Sequence, residues 1–230
     1  MITFKSRNNA IKQADRITRS ISSIYPHISE SRTNISIERL VKKHSDNKRK
    51  CYQLSNLMFK NSTKLDKLRY RGGFGLEQFR IIISNLKEHK IGNCYEETVL
   101  AQIIGKLSGL KNIYPASIYY KQISTNLKKE FDHAVAVITY KPFEKDHKYQ
   151  FKNKDAIILD PWLGITEFAG DYFTRLKTQF NNMFSHKVQD AKEFYLKLHD
   201  EEVLPEGDIN ILKKEYPELI LEKFNASGSI

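Results

Sequence analysis

A chain of 230 residues that is 40% hydrophobic, with thirteen Phe and twelve Tyr, can bury one sizeable core, which excludes an intrinsically disordered or low-complexity protein. No run approaches the roughly 18 apolar residues of a membrane span, no hydrophobic leader follows Met1, and two cysteines cannot build a disulfide framework, so a cytosolic, reducing compartment is expected. The formal net charge of +11 is lopsided: residues 1–90 carry 20 Lys and Arg against 7 Asp and Glu, whereas the rest carry 18 against 20.

Taken in order, Ile11, Ala14, Ile17, Ile21 and Ile24 recur at helical spacing and predict an amphipathic helix that Tyr25-Pro26 ends. Ile35, Ile37, Leu40 and Val41 predict a second helix, and Tyr52, Leu54, Leu57, Met58 and Phe59 a third, with Cys51 as a structural residue at its start. Arg71-Gly-Gly-Phe-Gly75 is glycine-rich but lacks the spacing and the trailing Lys-Ser/Thr of a phosphate-binding loop, so it reads as a turn. Leu76, Phe79, Ile83 and Leu86 then mark a helix leading to residue 94. After a helix that ends near Gly105 or Gly109, the pattern becomes stranded. Residues 113–120, 131–140 and 149–160 are rich in Ile, Val and Tyr and are separated by polar turns, which fits an antiparallel sheet. Tyr172, Phe173, Leu176, Phe180 and Phe184 return to helical spacing, residues 188–198 suit a strand or a helix, and the tail from Asn225 reads as frayed. The expected architecture is α+β, with a helix packed on an antiparallel sheet.

The chemistry concentrates around Cys94. Gly92 and Asn93 are loop residues, Asn93 is a good N-cap, and Val99, Ile103, Ile104 and Leu107 lie at helical spacing, so a helix starts at or near Cys94. A helix N-terminus favours negative charge, hence a thiolate, and its free N–H groups suit an oxyanion. Asp132-His133-Ala-Val-Ala-Val predicts a strand that begins with His133. Ala156-Ile-Ile-Leu-Asp160-Pro161-Trp162 predicts another that ends in a carboxylate where Pro161 stops the ladder. Paired antiparallel, the two would set His133 beside Asp160.

Gly92-Asn93-Cys94, Asp132-His133-Ala134-Val135 and Leu159-Asp160-Pro161-Trp162 together resemble the three signature segments of the papain-like and transglutaminase-like cysteine hydrolase superfamily. Within it they are most similar to bacterial effector and toxin modules that act as deamidases, proteases or transglutaminases. The resemblance covers roughly residues 76–175. It implies a papain-like or transglutaminase-like core with Cys94 as nucleophile, His133 as base and Asp160 as the residue that orients the base. It also implies no cofactor, a protein substrate in a host cell, and delivery by a specialised system without a cleaved signal peptide. Asn93, Trp162 and Gln78 are candidates for the oxyanion site or the acyl pocket. Gln53 and Asn85 are further possible oxyanion donors.

The corresponding division is a basic helical accessory region over residues 1–70, a catalytic domain over 71–200, and a partly frayed segment over 201–230. The basic region is expected to meet an acidic protein partner or an anionic surface. Two rival readings stand beside this one. Cys94, His133 and Asp160 are each acceptable zinc ligands, but no CxxC, HExxH or second histidine at ligand spacing accompanies them. A non-enzymatic basic module for nucleic acid or an acidic protein is the other alternative. The absence of aromatics interleaved with the basic residues, and of any helix-turn-helix or RNP-like pattern, disfavours nucleic acid.

Overall fold

The computed structural model describes residues 4–24, 75–89, 94–125, 128–140, 148–149, 156–179, 191–199 and 204–221. The expected helices over 35–41 and 51–59, Cys51, Gln53, most of the glycine-rich loop and Asn93 lie outside them. The described elements are α1 (Phe4–Ile24), α2 (Leu76–His89), α3 (Cys94–Leu107), β1 (Ile113–Gln122), β2 (Lys128–Thr139), β3 (Lys148–Tyr149), β4 (Ala156–Asp160), β5 (Ile165–Phe168), α4 (Ala169–Gln179), β6 (Ala191–Leu198) and α5 (Glu206–Glu215), followed by a 3₁₀ turn at Pro217–Leu219. The fold is α+β. The six described strands form one sheet in the order β3-β6-β1-β2-β4-β5, and every neighbouring pair is antiparallel.

Strand alternation sends successive side chains to opposite faces, and each face has its own core. Ile113, Ala136, Ile138, Ile157 and Leu159 pack against α1, α2 and α3. Ala116, Ile118, Val135, Val137 and Ile158 pack with Ala169, Tyr172 and Leu176 from the start and body of α4. Helix α3 is buried nearly all round, with an apolar body from Val99 to Ile104 interrupted by Gln102. Val99, Leu100, Ala101, Ile103 and Ile104 are all fully buried, because the sheet lies on one side of it and α1, α2 and α5 on the others.

Two glycines fix the far end of α3. At Gly105 an added Cβ would lie 2.6 Å from Ile113 Cδ1, so glycine lets the helix approach β1. Gly109 has φ 91°, and the Gly109 and Leu110 N–H groups donate to Lys106 O at 3.0 Å and to Gly105 O at 2.9 Å. This is a Schellman stop, which selects Gly109 of the two expected end points.

Several expectations are corrected. The single strand expected over 149–160 is two, β3 and β4, separated across the sheet: β3 pairs with β6 at one edge, and β4 lies between β2 and β5. The 191–198 segment is a strand on β1. Within residues 4–24 the basic N-terminal region is not an accessory unit. Ala10, Ala14, Ile17 and Ile21 of α1 belong to the same core as Val99 and Ile103 of α3, while Lys12, Arg16 and Arg19 stay on the exposed side. An amphipathic helix can carry its charge outward and still close a core, so the basic charge of α1 does not set it apart from the core of α3. The C-terminal segment joins that core over its described part, where Leu204, Leu212 and Leu219 are buried, and the tail from Asn225 lies outside the described residues. Ion pairs of Arg80 with Glu215 and of Lys87 with Glu218 tie the described part to α2.

Candidate active site

Helix α3 points its N-terminus away from the Gly105–Ile113 contact, toward the opposite end of the sheet. Cys94 is its first residue and is half-buried. Glu96 and Glu97 complement the macrodipole in the same turn, and both are buried.

His133 comes from β2, but not from its first position. The strand begins five residues earlier, at Lys128. Along β1 the partner of Ser117 is Ala134 and that of Ile118 is Phe131, so Asp132 and His133 form a bulge opposite an uninterrupted β1. A bulge releases a residue from strict alternation and re-aims its side chain. The sequence carries no clear signal for it.

Asp160 ends β4. The last β2–β4 pair is Ala136 with Leu159, and one further step would set Asp160 opposite Val135, diagonally across from His133. The contact is made: His133 Nε2 lies 2.7 Å from Asp160 Oδ2, and both residues are buried. A four-residue turn, Pro161 to Gly164, connects β4 to β5. It is closed by Gly164 N–H on Pro161 O at 3.1 Å, with Gly164 at φ 70°. Leu163 N–H reaches back to Asp160 Oδ1 at 3.0 Å, so the turn that ends the strand also holds its carboxylate.

Burial alone would push the His133 imidazole down. The charge and hydrogen bond of Asp160, joined by the hydrogen bond and charge of Cys94, outweigh it and raise the imidazole to about 10. His133 is thus in contact with Asp160, and Cys94 lies close enough to the imidazole to help raise it.

Trp162 is buried beside this pair, its ring centroid 5.2 Å from that of His133 at an interplanar angle of 58°. Gln78 is placed differently from the role considered for it. It is the third residue of α2 and its side-chain oxygen accepts the Gly75 N–H, half of a capping box. Asn85 falls on α2.

Tyr172 on α4 escaped functional notice in the sequence. Its hydroxyl donates to Asp160 Oδ2 at 2.7 Å, and the residue is 1% exposed. The helical spacing of its aromatic neighbours marked it as core, although a buried tyrosine, unlike Phe173 beside it, must find a partner for its hydroxyl. His199 is half-buried with Nε2 2.9 Å from Ser117 Oγ.

Among the described residues no group of three His, Cys, Asp or Glu side chains is arranged to hold a metal ion, and no helix is long and apolar enough to cross a membrane. The donors around Asp160 form a chain running from sulfur to carboxylate rather than a convergent ligand set. No protein-family model, curated protein or solved structure matches this chain.

Proposed function

We propose that the chain is a cysteine-dependent acyl-transfer enzyme acting on protein amide bonds, as a deamidase, transglutaminase or protease, with a papain-like or transglutaminase-like arrangement of Cys94, His133 and Asp160. The observation that carries the reading is the buried His133–Asp160 hydrogen bond of 2.7 Å, with a cysteine at a helix N-terminus close enough to the same imidazole to help raise it.

An imidazole raised to about 10 carries its proton at neutral pH, so the sulfur faces an imidazolium, the partner that a thiolate nucleophile requires. The sulfur attacks the amide carbonyl, and the oxyanion that forms is met by free backbone N–H groups in the first turn of α3. His133 gives its proton to the leaving amine. It then takes a proton from the water or amine that cleaves the thioester, while Asp160 holds the ring in one orientation. Water gives hydrolysis and an amine gives transamidation. The resemblance to bacterial effectors makes a host protein the substrate we favour.

Competitive labelling with iodoacetamide near neutral pH tests the site, because Cys94 should react much faster than Cys51. Equal rates, or a faster Cys51, would remove the assignment. Intact-mass analysis of candidate protein targets then separates the outcomes: deamidation adds about one dalton, transamidation joins an amine and proteolysis cuts the chain.

A further inference from the structure

We propose that Tyr172 is a fourth member of this arrangement, a positioning residue whose hydroxyl fixes the Asp160 carboxylate and moderates its hold on the imidazolium of His133. The inference rests on the triad reading above and assigns to α4 a part in the chemistry.

Asp160 is fully buried and receives three donors from three elements. Oδ2 takes both His133 Nε2–H and Tyr172 Oη–H, each at 2.7 Å, and Oδ1 takes Leu163 N–H at 3.0 Å. Three donors in fixed directions set the carboxylate plane and leave it no rotation that keeps every bond. The tyrosine hydroxyl serves no other end that packing would explain. Its ring meets Phe173 edge-on, with centroids 5.6 Å apart, and a phenylalanine would fill the same apolar space.

The hydroxyl also keeps its proton. Burial, with the Asp160 charge and hydrogen bond behind it, holds Tyr172 well above the ordinary tyrosine value, so it stays a donor at every pH at which the protein works. Among the described residues the charged or titratable groups around it are Asp160 on β4, His133 of β2 across the shared Oδ2, Cys94 on α3 and Glu167 on β5.

Two donors on one oxygen divide its negative charge, so each bond is weaker than it would be alone. Without Tyr172 Oη, more of the Asp160 charge falls on His133, which becomes the stronger base. That would harm a residue that must surrender its proton to the leaving amine as well as accept one.

The test is an NMR titration of the His133 ring nitrogens in the full chain, comparing Tyr172→Phe with its parent in a Cys94→Ala background, where the sulfur's charge does not mask that of Asp160. The His133 midpoint should rise by about one unit on loss of the hydroxyl, the size expected for one lost charge-assisted hydrogen bond. An unchanged midpoint would overturn the proposal. This readout needs no turnover. A shifted midpoint with an unreactive Cys94 in the unsubstituted chain would therefore sink the triad reading alone, and the converse would sink only the role of Tyr172. Should Tyr172→Phe fail to fold, the unsubstituted protein labelled with ¹³C at tyrosine Cζ decides. In an equal mixture of H₂O and D₂O, a slowly exchanging Tyr172 hydroxyl gives two resolved Cζ lines, and a single averaged line overturns the proposal.

Discussion

Cys94 opens a helix whose other thirteen residues are mostly buried, yet it is itself only half-buried and lies close enough to the His133 imidazole to help raise it. Cys94→Ala should therefore remove rapid alkylation and any acyl transfer while shifting stability by less than about 1 kcal/mol, the range of substitutions outside a packed core. Calorimetry beside labelling checks this, and a large drop in melting temperature would return Cys94 to the core. If Trp162, whose ring packs on that of His133, shields the His133–Asp160 bond from water, Trp162→Ala should slow alkylation roughly tenfold, equivalent to about 1.4 kcal/mol. Equal losses in rate and stability would make it merely a large core residue. The raised imidazole also sets a pH dependence with a definite sign. Because His133 binds its proton more tightly folded, at about 10, than unfolded, at about 6.5, its contribution to stability is complete below about pH 6.5 and is lost as the pH rises toward 10. The unsubstituted protein should thus lose melting temperature across that window more steeply than Asp160→Asn does, and parallel curves would contradict the assignment. At this scale Cys94, His133 and Asp160 were legible in the sequence because each stands at a recognisable break: a loop becoming a helix, the start of a β-branched run, a strand stopped by proline. The bulge at Asp132-His133 and the hydroxyl of Tyr172 were not, since the first depends on pairing with β1 and the second on which residue α4 happens to face.

Helix α1 is the element whose role the charge pattern obscured. Its apolar spacing predicted a helix correctly, but periodicity says which face is buried and not against what. The face closes over α3, β4 and β5, and Thr18 Oγ1 meets Thr166 Oγ1 of β5 at 2.6 Å. Ile17→Ala, at a fully buried position, should cost about 3 kcal/mol, as large-to-small core substitutions do. Removing residues 1–24 should expose α3 and abolish cooperative unfolding, as followed by denaturant titration. A truncated protein that unfolds with an unchanged midpoint would restore α1 to the accessory role. The sheet was half legible for a related reason. Strand character at 113–120 and 131–140 came from composition, whereas the separation of β3 from β4 is a matter of long-range pairing that local composition does not encode.

Across the whole molecule the net charge of +11 and the geometry of the site act together. Cys94 stands at the positive end of α3 beside an imidazolium, and the protein around it is cationic overall. The Glu96 and Glu97 side chains of the same turn oppose this field, and the macrodipole of α3 offsets part of their charge. An anionic alkylating agent should therefore gain more from the protein than a neutral one of the same size. The measurable quantity is the rate of Cys94 alkylation by iodoacetate divided by that by iodoacetamide, which cancels the intrinsic reactivity of the sulfur. Raising the salt from about 50 to about 300 mM shrinks the Debye length to well under 10 Å, so the long-range part of the attraction is screened while the contact with His133 is not. The ratio should fall several-fold over that range and level off above the value for free cysteine, the residue being the local contribution of the helix terminus and the imidazolium. A ratio that does not change with salt would mean that the charge of the chain is not felt at the site. A ratio that rises with salt would mean that Glu96 and Glu97 dominate there, and that the substrate surface presented to Cys94 is not an acidic one.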